Sequence, residues 1–506
     1  MHNAAATALL TVMYLVHAAA MASGAYALGL LTGLLPPRKT AAADTGLPRA
    51  LHFCLGVATG AGLLATAVAA EAALRGKFHG LIVSSLPWWS GILAAVGMGL
   101  LVRAWIAQRG SAATAPVAQP LSWLQIALVV ACALAAINVT LNALAPDCQM
   151  DSLWYHLSVA RAWVEWDCFD AFATVFPSNY SLLHSVLYAI ALTMGDEIHC
   201  ALINGLCGFI CFGSAALYSR LWFGRPAAVW CWYLCATAYA AHTWFAPFHT
   251  GSDLPVAMFS TTGLLTAVHV LFGLPAGAGA SGQVRQSQRL WCLSGFLLGC
   301  ALAVKITTLG YMIPAWFGLC LWAVWRRPHL RWATPAALAL TLLPFLPWAV
   351  RSALYGCGNP IYPLARWWLP VREGWEILLR NPSHLSVFPP TWQGLLQSME
   401  FWPQKFQHMA YTRSPGFILH AAVVSALVLR HPLARVFGAI ALAQWGAQFW
   451  TVGTNELARY FAQCFPVIFP AVAGAVAWFE DRAPVSRPIR MLALSAFAVS
   501  VAVPYI

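Results

Sequence analysis

The sequence predicts an all-α polytopic membrane protein, and three observations predict it. Of 506 residues, 60% are hydrophobic and only 9% are charged, where a soluble chain carries about 25% charged residues. Mean hydropathy is +0.68. Apolar runs of eighteen or more residues recur from end to end, each long enough to cross a hydrocarbon core of about 30 Å. The net charge of +12 does not point to nucleic acid, because Lys and Arg in such a chain gather at cytoplasmic helix ends.

In chain order, spans are expected near 7–34, 50–73, 81–105 and 122–145. The first is too long for a signal-peptide core and lacks a basic lead, so it reads as a span rather than a cleaved peptide. A polar stretch, 146–180, follows. The apolar segment 181–195 is short for a span. If it crossed, every later basic loop would change sides, so it is expected to lie in or dip into the outer interface. Further spans are expected near 198–219, 227–246, 254–275, 290–305, 308–325, 333–352, 416–429, 436–452, 460–478 and 489–505, giving about fourteen crossings.

This order puts most basic loops on one side: Arg38/Lys39/Arg49, Arg103/Arg109, Arg220/Arg225, Arg285/Arg289, Arg326/Arg327/Arg331, Arg430/Arg435 and Arg482/Arg487/Arg490. Arg75 and Lys77 are the exception. The opposite, outer side then carries 146–180, APFHTGSDLP (246–255), the long stretch 355–415 and GTNELARY (453–460). These segments are dense in Trp and Tyr, as suits headgroup level. The link 106–121 is rich in small residues and reads as flexible. It separates the extra N-terminal helices (1–110) from a core at 122–480 that includes the outer loops 146–197 and 355–415, with a last helix in 481–506.

The densest polar feature is DCQMDSLWYHLSVARAWVEWDCFDAF (147–172), with five carboxylates, Asp147, Asp151, Glu165, Asp167 and Asp170, and one histidine, His156. From Asp151 the apolar spacing is helical. Asp151 sits in the first turn, where a carboxylate suits free N–H groups and the helix dipole, so an N-cap role is one reading. Tyr155 lies four residues on, along the same face. His156 reads as an interface histidine or a ligand.

With FPSNYSLLH (176–184) after it, D-x-x-x-Y-H-L-x-x-A-R-x-W resembles the first outer loop of GT-C membrane glycosyltransferases, nearest the protein O-mannosyltransferase and aminoarabinose transferase group. Other pieces follow in the family's order: SDLPVAMF (252–259), LLGCALAVKITTLGYMIPAW (297–316, with Cys300 breaking the small-residue pattern), GNPIYP (358–363) after Arg351, and ARYFAQCFPVIFP (458–470). The resemblance covers roughly 120–480 and leaves the first three spans outside it.

The resemblance implies a GT-C-like helical bundle that takes a sugar from a polyprenyl-phosphate donor and passes it to a glycan, lipid or protein acceptor. It places the enzyme in the bacterial inner membrane, with its site on the periplasmic, outer face. The leaving group is already a phosphate, which agrees with the absence of a Gly-rich phosphate loop. Two jobs remain, a base for the acceptor proton and cations for the departing phosphate. By carry-over Asp151 is the base and Asp253 a second catalytic-site carboxylate, which as the start of Asp-Leu-Pro also reads as a helix cap. Arg351, Lys305 and Arg459 are the expected phosphate contacts, each otherwise a side chain snorkelling to the interface. Tyr155, His156, Tyr460 and Asn359 are expected to contact carrier or sugar.

Relatives divide over a divalent ion. Asp147 and Asp151 are oxygen donors that suit Mg²⁺ or Mn²⁺, but no D-x-D or D-x-E stands here, and none is expected to be required. His156, His184 and His249 have no shared metal spacing. Most of the fourteen Cys lie in apolar runs as small hydrophobes. In an oxidising compartment Cys148 and Cys168 have the opportunity to pair. The rival readings are a lipid-linked-glycan transporter or flippase, which would show charged, broken helices in matching halves, and a non-catalytic membrane subunit. No internal repeat is visible.

Overall fold

The computed structural model describes residues 2–35, 47–111, 120–145, 147, 151–239, 250–274, 281–362, 369, 371–373, 375, 392–393, 416–429, 431–451, 463–482 and 486–502. Every regular element among them is a helix. Long apolar runs satisfy their backbone groups internally in that way, and in lipid a helix or a closed barrel is the only means of doing so.

Three helices open the chain: α1 (His2–Leu31), α2 (Arg49–Arg75) and α3 (Leu81–Ser111). Their axes approach closely because glycines face backbone. A Cβ at Gly60 would lie 1.8 Å from the Ala25 carbonyl oxygen, and one at Gly29 would lie 2.1 Å from that of Gly56. Small residues at membrane helix contacts allow this kind of approach. Gly76 ends α2 in the left-handed region (φ 68°). The Glu71 carboxylate then accepts from the Leu81 and Ile82 amides at the start of α3, where a helix has free donors.

Helix α4 (Trp123–Ala143) starts on a reciprocal cap between Ser122 and Gln125, a motif worth about 1 kcal/mol. The polar stretch then forms α5, a π-turn (Ser152–His156) running into Leu157–Glu165. Next come α6 (Leu183–Met194), α7 (Glu197–Phe223) and α8 (Arg225–Leu234, extended by a π-turn to Tyr239). The core continues with α9 (Asp253–Val268, with a π-turn to Gly273), α10 (Ser281–Val304) and α11 (Thr308–Arg326). Helices α12 (Ala333–Leu342) and α13 (Leu346–Tyr355), joined by a 3-10 turn at Leu343–Phe345, form one span, and α14 (Gly416–Val428), α15 (Pro432–Thr451), α16 (Phe465–Arg482) and α17 (Arg487–Ala502) follow.

The chain is an integral, multi-pass helical protein. Among the described residues eight helices are long and apolar enough to cross a membrane, or nine if the bent pair within 81–103 is one span. The expected count of about fourteen is not confirmed. Helices α14 to α17 do not meet the same length and apolarity, and the expected span 227–246 runs into undescribed residues. Helix α10 also begins nine residues before the expected 290, because Arg285, Gln286, Gln288 and Arg289 are good helix formers that the hydropathy reading excludes.

Segment 181–195 forms a twelve-residue helix, about 18 Å long at 1.5 Å per residue and so too short to span. Leu183 through Ala191 are buried. Its place is therefore inside the protein, not along an interface.

The two ends of the bundle differ. One gathers 151–180, the starts of α7, α9 and α16, and the ends of α2, α10 and α13. Phe169 N bonds Gly76 O there, which places the exceptional Arg75 and Lys77 stretch at this end. At the opposite end Arg327 donates to the Leu271 and Leu274 carbonyls, and Glu480 accepts from Ser122, Gln125 and Trp230.

Candidate functional site

Helices α5 and α9 begin side by side. Asp147 Oδ2 accepts from both the amide and the hydroxyl of Thr250, each at 2.6 Å. The Thr250 carbonyl in turn accepts from Ser152 Oγ at 3.1 Å. Tyr188 of α6 donates to Gly251 O at 2.8 Å. Asp147 and Ser152 are thus fastened to the turn that launches Asp253, about a hundred residues later.

Asp253 is 2% exposed, and a buried carboxylate needs a charged or hydrogen-bonding partner. It has two. Lys305 Nζ, just past the end of α10, is 3.0 Å from Oδ1, and Gln463 Nε2, just before α16, donates to the same oxygen at 2.6 Å. Tyr311 of α11 donates to Gln463 Oε1. Four helices are joined through this one carboxylate. Lys305 keeps 16% of its side chain exposed, against 3% for Asp253, so the lysine is the more exposed member of the pair.

Behind this network His184 Nε2 lies 2.6 Å from His156 Nδ1, both rings buried. Burial lowers the His184 pKa to about 3, with the Lys305 charge adding to that and Asp253 opposing it. His184 is therefore neutral at physiological pH, and across the contact one ring nitrogen donates and the other accepts. The Tyr155 ring packs on His156 at 3.9 Å between centroids. Asp151 opens the π-turn in helical geometry (φ −66°, ψ −35°) and makes no side-chain capping bond, so it is not acting as an N-cap. It is partly exposed. The wider π-turn changes the offset of Asp151, Tyr155 and His156 relative to an α-helix, and such turns are frequent at functional sites.

Arg351 has a different place from the one its charge suggests. It is 1% exposed. Its Nε donates to Phe169 O at 2.8 Å, and its terminal nitrogens donate to Ser178 O and Asp170 O, both at 2.7 Å. Trp163, Phe169 and Trp348 surround the guanidinium at 5.0 to 5.5 Å, within cation–π range. This geometry corrects the expectation of a phosphate contact: the side chain binds loop 166–180 to α13. Asn359 is likewise buried in a turn, its Oδ1 accepting from Ile361 N at 3.0 Å and its carbonyl from Ser352 Oγ at 2.6 Å. Asp167 accepts from His79 N, and Glu165 lies by Arg161 on the surface.

Arg459, Tyr460, His249 and Cys148 lie outside the described residues. Cys168 carries a free thiol. Among the described residues no group of three or more His, Cys, Asp or Glu is placed to hold a metal ion. The donor set at Asp253 does not fit a divalent ion, which would have to displace an ammonium from 3.0 Å. Sequence reading missed Gln463 and Tyr311. Both lie within quoted motifs, but as neutral residues they drew no attention among the charges.

No protein-family model matches the chain, and no curated protein matches it. Solved structures do. An archaeal oligosaccharyltransferase, AglB of Archaeoglobus fulgidus in complex with an inhibitory peptide and a dolichol-phosphate, is 16% identical over 76% of this chain, with a TM-score of 0.48. ArnT of Cupriavidus metallidurans bound to undecaprenyl phosphate is 16% identical over 75% of this chain and 69% of its own, with a TM-score of 0.42. The chain spans about half, 54%, of the oligosaccharyltransferase chain. At these identities and TM-scores the two neighbours do not bear on donor, acceptor or mechanism.

Proposed function

We propose that the chain is an integral membrane glycosyltransferase that takes a sugar from a polyprenyl-phosphate carrier and passes it to an envelope glycan, lipid or protein at the outer membrane face. The observation that supports it is convergence. The stretches around Asp151, His184, Asp253, Lys305 and Gln463, which carry the family resemblance, are spread over some three hundred residues. They meet at one end of the bundle around the buried Asp253–Lys305 ion pair.

In the proposed step the acceptor O–H or N–H gives its proton to the Asp151 carboxylate. The acceptor atom bonds to the anomeric carbon from the face opposite the phosphate, and the carbon–oxygen bond to the phosphate breaks with inversion. The bonding electron pair leaves on the phosphate, where the Lys305 ammonium offsets the added charge. Asp253 and Gln463 hold that ammonium in place, and Arg351 fixes the loop beside the site. Arg459 remains the second proposed cation, and Tyr155 and Tyr460 proposed carrier or sugar contacts.

The test compares lipid-linked and envelope glycans of the wild type with those of a strain lacking the chain. One missing sugar, with its polyprenyl-phosphate form accumulating, is expected. Unchanged glycans with an unchanged donor pool would refute the proposal, and donor trapped on the inner leaflet would favour a flippase.

A further inference from the structure

A cavity of about 190 Å³ lies between the N-terminal helices and the core, walled by α1, α2 and α3 on one side and α6, α7 and α9 on the other. Its lining is almost wholly apolar, with Gly24, Leu64, Gly91, Leu187, Ile203 and Met258 among the contributors. It is larger than the apolar cavities of roughly 150 Å³ that stay dry and take up a benzene ring. The outer faces of its walls are lipid-facing by composition: Val16 on α1 and Trp88 and Ile92 on α3 are 63%, 81% and 65% exposed. The lining runs along α1 from residue 17 to residue 28, about 16 Å at 1.5 Å per residue. That is half of a hydrocarbon core of about 30 Å, the depth of a single acyl chain in one leaflet.

The mouth has a built polar end. His17 lines it, and His17 Nδ1 lies 3.0 Å from His199 Nε2. His199 Nδ1 lies 2.9 Å from Asp196 Oδ1, and Tyr14 donates to Asp196 Oδ2. His199 Nδ1 also faces the Asp196 amide at 3.2 Å; in the tautomer that carries the proton on Nδ1, donating to the Asp196 carboxylate, Nε2 accepts from His17. His17 is left with its second ring nitrogen as an acceptor. Among the described residues the surrounding charge is acidic: Asp196, Glu197 and Glu165 face one cation, Arg161, which pairs with the two glutamates.

We propose that this groove binds one acyl chain of an aminolipid whose primary ammonium donates to His17 and sits in the acidic mouth. An apolar slot one leaflet deep selects the chain, and an acceptor beside net negative charge selects a donating cation over an anionic head. The site shares α6 and α9 with the His184 and Asp253 network, but it does not rest on the proposed reaction.

The test uses the full chain in nanodiscs of equal parts phosphatidylethanolamine, phosphatidylcholine and phosphatidylglycerol, with retained lipid read by native mass spectrometry. Wild type should retain phosphatidylethanolamine about ten-fold over the other two. Gly91→Leu should abolish retention, since a Cβ at Gly91 meets nothing within 4 Å and the side chain has room to fill the groove without unfolding it. His17→Phe should keep retention but lose the head preference. Equal retention of all three lipids by wild type, or unchanged phosphatidylethanolamine retention in a folded Gly91→Leu protein, would overturn the proposal.

Discussion

Replacing Asp253 by Asn removes one charge from the centre of the site and leaves its shape. At 3.0 Å and an effective dielectric near 20, the gross attraction to Lys305 is about 5 kcal/mol. Each buried ion sets several kcal/mol of lost hydration against that. Removing one partner leaves the other charge uncompensated, which typically costs about 3–5 kcal/mol. Two features put this site at the low end. The Lys305 side chain keeps 16% of its surface, and Asn Oδ1 can still accept from Gln463. The expected loss is about 3 kcal/mol, read by tryptophan fluorescence during unfolding in mixed micelles. Asp253→Asn with Lys305→Met removes both charges and should recover at least half of that loss. A loss below about 0.5 kcal/mol, or a double variant no more stable than Asp253→Asn, would refute the claim that this is a buried, mutually dependent pair.

Arg351→Gln should destabilise the fold by at least 3 kcal/mol, since three backbone carbonyls lose a charged donor, and Arg351→Lys should not rescue it because an ammonium lacks the planar fork; unfolding curves and protease sensitivity of loop 166–180 check both. Tyr14→Phe should cost about 1 kcal/mol or less at pH 7. Burial alone would raise the Asp196 pKa, but bonds from Tyr14 and His199 hold it below the ordinary 3.8. A depressed carboxylate stabilises above its unfolded pKa and loses that contribution as pH falls through the folded value, so the two proteins should converge below about pH 4 in thermal melts. A membrane-impermeant maleimide added from outside should label Glu165→Cys and spare Gly282→Cys, and the reverse pattern would invert the proposed orientation.

Much of this architecture was legible in the sequence. Hydropathy places α1 to α4, α7 and α9 to α13 within several residues, because a long apolar run in lipid has one good solution. The basic end of α10 was read as loop, since hydropathy stops at Arg289 while helix propensity does not. Segment 181–195 was read as short and not crossing, which its length fits. Its burial was not readable, because an apolar helix looks the same whether lipid or protein surrounds it. At the site, Asp253 and Lys305 were each singled out by charge, but their pairing depends on two helix ends meeting in space. Arg351 was misread for a related reason. Its partners are main-chain carbonyls of Phe169, Asp170 and Ser178, and a carbonyl leaves no mark in residue type. Gln463 shows the converse, a neutral residue whose importance comes only from the carboxylate it touches.

The central claim is that Asp151 removes the acceptor proton. Asp151→Asn keeps the side chain's size and an oxygen that accepts hydrogen bonds, so expression and unfolding should stay close to the wild type. Single-turnover transfer from a defined polyprenyl-phosphate sugar to a defined acceptor should fall by about 10²–10⁴-fold, the usual contribution of a general base, with donor binding unchanged. Asp170→Asn, where Arg351 is held by the backbone carbonyl, should stay within a few-fold of wild type. Wild-type transfer by Asp151→Asn would contradict the account.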